Sequence, residues 1–333
     1  MTEMEFRTAI HTAANVGLLS HSQKLLMLGS CFSDNIGNRL AGAMMNVMIN
    51  PFGTIYNPMS IAASVERIIE NRPVAGIDLF QQNGVWNSYA FHSRYSMSDK
   101  DATLTRMNRS IEQAHEHLAQ CSAVVITLGT AVTYALRSTG EVVSNCHKVP
   151  QHEFTRALAG VDEITRALKG MVARLLEYNS GLTVIFTVSP IRHIADGLET
   201  NSLSKATLRL AVARMVEKFG EKVHYFPAYE IMLDDLRDYR FYAPDMVHPS
   251  EVAIEYIWQV FQSTYFDDFS TQAIARCERV RKRMNHRVMS GNRETVERFN
   301  ADTRTVVRNL LKEYPYLAEV GEIKDYLKDC SIN

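Results

Sequence analysis

The sequence predicts an α/β protein: a parallel, doubly wound sheet with helices on both faces, followed by a helical appendage. Three observations lead there. Leu25–Leu28, Ala123–Leu128 and Leu182–Val188 are short, largely apolar runs that suit strands buried on both faces, and the first two end directly in Gly29 and Gly129. Helical periodicity lies between and after them. Ile164, Leu168, Met171, Val172, Leu175 and Leu176 mark one amphipathic helix, and Leu208, Ala211, Val212, Met215, Val216 and Phe219 mark another. Strands and helices alternate in this way from about residue 24 to 263, the pattern of a parallel sheet. From about Phe266 strand signals vanish and long charged helices follow, so the chain divides into residues 1–265 and a helical extension over 266–333.

Each element has a local reason. Residues 1–23 read as an irregular lead-in. Leu25–Leu28 form the first strand, and Ser33 or Asp34 is placed to cap the helix after Gly29, because a side-chain oxygen there accepts from the orphan N–H groups of the first turn. Met45–Ile49 can form a second strand. Asn50–Pro58 is a loop stiffened by two prolines and a glycine, with several polar side chains, among them Asn57, available to face a ligand or water. Asn57-Pro58 opens a helix to about Asn71. Residues 77–98 have mixed β character broken at Asn83-Gly84, a hairpin signal. A polar helix covers about Asp99–Gln120. Thr130 follows the strand that ends at Gly129, the position from which a side chain meets a ligand above a parallel sheet. Residues 131–143 look β-like, and Asn145–Pro150 is a polar loop. Val223–Phe226 is a short strand, Tyr229 to about Arg237 a helix, and Tyr239–His248 a loop. Ser250 caps a helix with Ala253, Ile257, Val260 and Phe261 on one face.

Composition narrows the function. The 333 residues are 46% hydrophobic, enough for a substantial core. A formal net charge of −1 argues against a whole-protein preference for nucleic acid or anionic lipid. No apolar run approaches the roughly 20 residues a membrane span needs, and the acidic N-terminus lacks the basic patch and apolar core of a signal peptide. Five widely spaced cysteines, Cys31, Cys121, Cys146, Cys277 and Cys330, fit free thiols in a reducing, cytoplasmic setting. Neither CxxC nor HExxH occurs, so no metal site and no cofactor is expected. The basic run Arg279–Arg287 could meet phosphate or a membrane, but such runs are more often solvated faces paired with nearby acids.

Chemistry-bearing residues gather where such a sheet places them, at the carboxyl ends of its strands. These are Gly29-Ser30-Cys31, Gly129-Thr130 and Ser189–His193. The turn after the first strand puts Ser30 and Cys31 at a helix N-terminus, where N–H groups favour a thiolate or a developing oxyanion. An ordinary half-buried core cysteine is the plain alternative. A fourth element is Asp245-Met-Val-His248, whose spacing lets the carboxylate bond one ring nitrogen while the other faces a nucleophile. Alone, Asp-x-x-His more often marks a satisfied surface or core histidine.

Gly29-Ser30-Cys31-Phe32-Ser33 resembles the signature of the GSCFA-domain family, which is grouped with the SGNH (GDSL-type) hydrolases. Asn50–Thr54, Leu128–Thr130, Asn145–Lys148, Val188–His193 and Tyr242–Ser250 continue the resemblance in order, over roughly residues 22–263. It implies a flavodoxin-like three-layer α/β/α sandwich. It also implies an esterase, thioesterase or acyltransferase working through an acyl-enzyme on a small-molecule, acylated or glycan ester. Laid over the superfamily's Gly-Asp-Ser-Leu motif without gaps, Cys31 takes the nucleophile's place, with Ser30 as runner-up. Gly53 is the best match to the single-glycine oxyanion motif. Thr130 stands where the superfamily has Asn, and Asp245 and His248 match the last motif intact.

Secondary candidates are Asn57, His147, Arg192 and His193 as substrate-binding residues. The plain reading of the last three is loop residues bonding local backbone. His92 reads as a satisfied half-buried histidine, and Trp86 and Trp258 as core or rim aromatics. The departures at Cys31 and Thr130 keep two other readings open: a ligand-binding module without turnover, and a thiol redox site at Cys31 with Cys146 as its resolving partner.

Overall fold

The computed structural model describes residues 7–12, 15–286, 288–289 and 292–329. The acidic N-terminus, Arg287 of the basic run and Cys330 lie outside them. The central sheet is built from β1 (Lys24–Gly29), β2 (Asn46–Ile49), β5 (Ala123–Leu128), β8 (Thr183–Val188) and β9 (Val223–Phe226). Their order across the sheet is β2-β1-β5-β8-β9 and every pairing is parallel. The direction of winding reverses between β1 and β5, the switch point at which doubly wound sheets open a crevice above their carboxyl ends.

Alternation along the strands explains why their sequences are apolar throughout. Leu26, Leu28, Val124, Ile126, Val184 and Phe186 point to one face, into a core shared with α2 (Pro58–Ile69), α3 (Lys100–Leu118), α4 (Val161–Tyr178) and α5 (Leu198–Phe219). Leu25, Met27, Val125 and Ile185 point to the other, into a core with Phe32, Ile36 and Leu40 of α1 (Cys31–Gly42) and Ile257, Trp258 and Phe261 of α7 (Glu251–Tyr265). Between β9 and α7 the chain makes one turn of α-helix, α6 (Ala228–Glu230), that widens into a π-helical turn over Ile231–Asp235. Helices therefore cover both faces, giving the three-layer sandwich.

Two small antiparallel hairpins stand outside the sheet. β3 (Phe80–Gln82) and β4 (Val85–Asn87) flank Asn83 and Gly84, both at positive φ, the turn that Asn-Gly favours. β6 (Val132–Leu136) pairs with β7 (Phe154–Leu158). β7 has no signature of its own in the sequence, since most of its residues are exposed. Trp86 sits half-buried in the first hairpin under Lys100, and Trp258 is fully buried.

After α7 the described residues form helices: α8 (Asp268–Met284), α9 (Arg293–Glu313) and α10 (Gly321–Asp329). Cys277 and Val280 of α8, Val307 and Leu310 of α9, Leu317 and Ile323 make a third apolar cluster that takes in Met44, two residues past α1. Buried His21 ties this cluster to the sandwich, with Nε2 2.8 Å from the Ala43 carbonyl and Nδ1 2.8 Å from Tyr316 Oη. The basic run is engaged locally: Arg281 pairs with Glu322 at 2.9 Å and the Arg283 guanidinium lies over the Phe299 ring.

Candidate active site

The turn between β1 and α1 is held by backbone geometry that few residues allow. Gly29 has φ +126°, and a Cβ there would meet the Thr127 carbonyl oxygen at 2.1 Å. Its N–H donates to Asn50 Oδ1 at 2.8 Å, and Asn50 Nδ2 donates to Asp34 at 2.9 Å. Ser33 Oγ lies 2.8 Å from the Leu28 carbonyl and 2.7 Å from Thr127 Oγ1. The helix starts one residue after the strand ends, so the cap is Ser30, not Ser33 or Asp34. Ser30 Oγ accepts from the Phe32 N–H at 3.3 Å, and its own N–H donates to the Thr127 carbonyl at 3.2 Å. Its side chain is thereby buried and committed to structure. Cys31 occupies the first helical position, half-buried, and faces a cavity of about 450 Å³ above the sheet.

Residues from six segments line that cavity, among them Cys31, Tyr56, Thr130, Cys146, His193 and His248. His248 belongs to a tight turn with Met246 at positive φ. Its Nδ1 is 2.6 Å from Asp245 Oδ2, while Asp245 Oδ1 accepts from the N–H groups of His248 at 3.0 Å and Val247 at 2.9 Å. Those two backbone donors, followed by the ring, hold the Asp245 carboxyl down at about 2. Asp245 is thus a fixed anion, and it settles a proton on Nδ1. Arg192 steadies the same turn. Its N–H donates to the Val247 carbonyl at 3.3 Å and its guanidinium lies 4.1 Å from the centre of the Tyr242 ring.

His193 meets Tyr56 edge-on, ring centroids 5.6 Å apart. Burial, then the Lys205 ammonium, lowers its pKa to about 4, so the ring is neutral near pH 7, and its buried Nε2 has no hydrogen-bond partner. Cys31 Sγ is 3.3 Å from Tyr56 Oη, and that hydroxyl is 3.5 Å from Thr54 Oγ1. Among the described residues no hydrogen bond joins Sγ to the His248 ring.

The remaining candidates separate. Thr130 lines the cavity, but its Oγ1 accepts from the Val132 N–H at 3.0 Å and is 3.1 Å from Ser204 Oγ. Asn57 lines it too, with its side chain engaged as the cap of α2: Oδ1 accepts from the Ser60 N–H at 2.8 Å. Gly53 lies outside the cavity lining. Its N–H donates to the Asn50 carbonyl at 2.8 Å, and glycine is required there because a Cβ would meet His92 Cβ at 2.2 Å. His147 also lies outside, beside the neighbouring polar cavity under the first hairpin, with Nε2 2.8 Å from the Ser88 carbonyl. Cys146, beside it in sequence, does face the Cys31 cavity, and burial raises its thiol pKa.

Sequence reasoning passed over two residues. Tyr56 lay inside a loop whose shape was unknown. Lys205 lies on α5, fully buried, with Nζ donating to the carbonyls of Gly129 at 2.6 Å and Ser189 at 2.7 Å. A buried lysine leaves no mark in a sequence, whereas an aromatic in a proline-fixed loop next to a strand-ending glycine could have been suspected.

Fold and site together define a doubly wound α/β protein with a thiol, an imidazole and a carboxylate gathered at its switch-point crevice. The chain matches the GSCFA family over residues 24–261 and belongs to that family. No curated protein and no solved structure matches it.

Proposed function

We propose that the protein is an acyl-transfer enzyme of the SGNH type, an esterase or thioesterase or an acyltransferase, with Cys31 as nucleophile, His248 as base and Asp245 as its orienting anion. The observation that carries the reading is that Cys31 and His248 line one cavity while Asp245 fixes the far side of the imidazole at 2.6 Å. In the reaction His248 Nε2 takes the Cys31 proton and the sulfur attacks the carbonyl carbon of the ester or thioester. The carbonyl electron pair moves onto its oxygen, next to the Cys31 N–H at the helix start. Collapse breaks the bond to the leaving group, which takes the proton back from His248. Water or an acceptor hydroxyl, deprotonated by the same ring, then attacks the enzyme thioester and restores the thiol. Sulfur and ring need not touch before substrate arrives, because such contacts tighten in the working complex. The substrate is read as a small-molecule, acylated or glycan ester, and the free thiols as those of a cytoplasmic protein.

The engagement of the Gly53 N–H and the Thr130 hydroxyl within the protein favours a second reading, a binding module without turnover. The presence of Cys146 on the same cavity keeps a thiol redox pair as a third. Acyl-enzyme formation from an activated ester, mapped by mass spectrometry in wild type, Cys31→Ala, Ser30→Ala and His248→Ala, separates them. The acyl-transfer reading expects acylation at residue 31, lost in Cys31→Ala, lowered at least about 10³-fold in His248→Ala and retained in Ser30→Ala. Acylation that persists in His248→Ala, or none in wild type, rejects it.

A further inference from the structure

We propose that Tyr56 is a catalytic residue of this site, the hydroxyl donor that follows negative charge from the Cys31 sulfur to the substrate oxygen. The proposal rests on the acyl-transfer reading. Its ground is the fate of the other donors. The Gly53 N–H is spent on the Asn50 carbonyl, and the Thr130 oxygen accepts from the Val132 N–H and lies against Ser204. Beside the Cys31 N–H, a side-chain hydroxyl within hydrogen-bond reach of the sulfur is that of Tyr56, with Oη 3.3 Å from Sγ.

The tyrosine is held as a working donor must be. Its carbonyl accepts from the N–H groups of both Gly129, at 2.8 Å, and Thr130, at 3.0 Å, which pins the loop to the end of β5. Gly129 admits the ring so closely that a Cβ there would lie 3.1 Å from Tyr56 Cβ and Cδ1. On the other side the neutral His193 ring packs edge-on. Burial, and then the contact with Cys31, push the phenol up to about 12, so it stays protonated near neutral pH.

The hydroxyl has two neighbours, and that allows a switch. With Cys31 as a thiol, S–H donates to Oη and O–H donates to Thr54 Oγ1. With Cys31 as a thiolate, O–H turns to the sulfur. When the sulfur attacks, the charge passes to the carbonyl oxygen and the same O–H turns to it. No proton leaves the phenol at any stage; it donates a hydrogen bond throughout.

The test is Tyr56→Phe, which keeps the ring and both backbone bonds, with folding checked by circular dichroism. Two rates are read on the full chain at pH 7: acylation of Cys31 by p-nitrophenyl acetate and alkylation of Cys31 by iodoacetamide. The expected result is a fall in acylation of about 100-fold, the cost of one oxyanion donor, and a smaller fall of several-fold in alkylation. Acylation within about threefold of wild type in Tyr56→Phe overturns the proposal. If wild type does not acylate at all, the acyl-transfer reading fails by itself. The alkylation rate then decides the pairing of Tyr56 with sulfur: slowed, it stands, and unchanged, it falls.

Discussion

Lys205 Nζ bridges the carbonyls of Gly129 and Ser189, the residues just past the ends of β5 and β8. One buried ammonium thus clamps two neighbouring strand ends beneath the cavity floor. Replacing it with methionine leaves two buried carbonyls without their donor, each worth about 1–3 kcal/mol when unsatisfied. Lys205→Met is expected to lower stability in urea at pH 7 by an amount of that order. Burial also pulls the lysine's pKa down to about 7. Between pH 7 and the ordinary lysine range the unfolded chain keeps a proton that the folded chain has lost, so wild-type stability gains a rising component there. The methionine variant lacks it. Superimposable pH profiles of the two proteins would contradict the assignment.

Gly29→Ala is expected to cost at least about 4 kcal/mol, because the new methyl meets a carbonyl of the neighbouring strand and the backbone sits at positive φ. Soluble yield and thermal melting measure it. A melting curve like that of wild type would mean that the turn can take another path.

Asp245→Asn removes the anion that sets the His248 tautomer. Acylation of Cys31 should fall by about 10² or more, while alkylation at pH 9, where free thiols ionise unaided, changes little. Equal losses in both would point to a damaged fold instead.

His193 supplies an acid-limb signature. Its ring holds no proton in the folded state until about pH 4, against 6.5 when free. From pH 6.5 down to 4 the unfolded chain takes up the proton first, and stability falls across that window. His193→Leu should flatten that part of the pH–stability curve, measured by chemical denaturation in steps between pH 4 and 7. An unaltered slope would assign it to other groups.

The parallel sheet was legible because burial on both faces writes itself as unbroken apolar runs, and helices α4 and α7 because their stripes repeat at helical spacing. β7 was not, since an exposed strand pairs through backbone alone and needs no apolar pattern. The Asp245–His248 pair was legible because three residues of spacing confine both groups to one turn. The donor set was not. A motif position can be matched by Gly53 while its N–H is turned to Asn50, and a residue such as Tyr56 reaches the sulfur only through a loop whose course depends on Gly129. Whether Ser30 or Cys31 faces the cavity turned on a single residue of turn length, with Ser30 taken up as the helix cap and Cys31 left on the cavity.

On the proposed acyl-transfer reading, the distance in sequence between the thiol and its base has a consequence for synthesis. Ribosomes deliver Cys31 more than two hundred residues ahead of His248, and β1, whose end leads into the cysteine's turn, takes its place between β2 and β5. Until the turn at Asp245 emerges, the cysteine lacks the imidazole that the proposed acyl transfer assigns to it as base. Any reactivity that depends on that ring is therefore withheld from the nascent chain until the segment carrying His248 has been made.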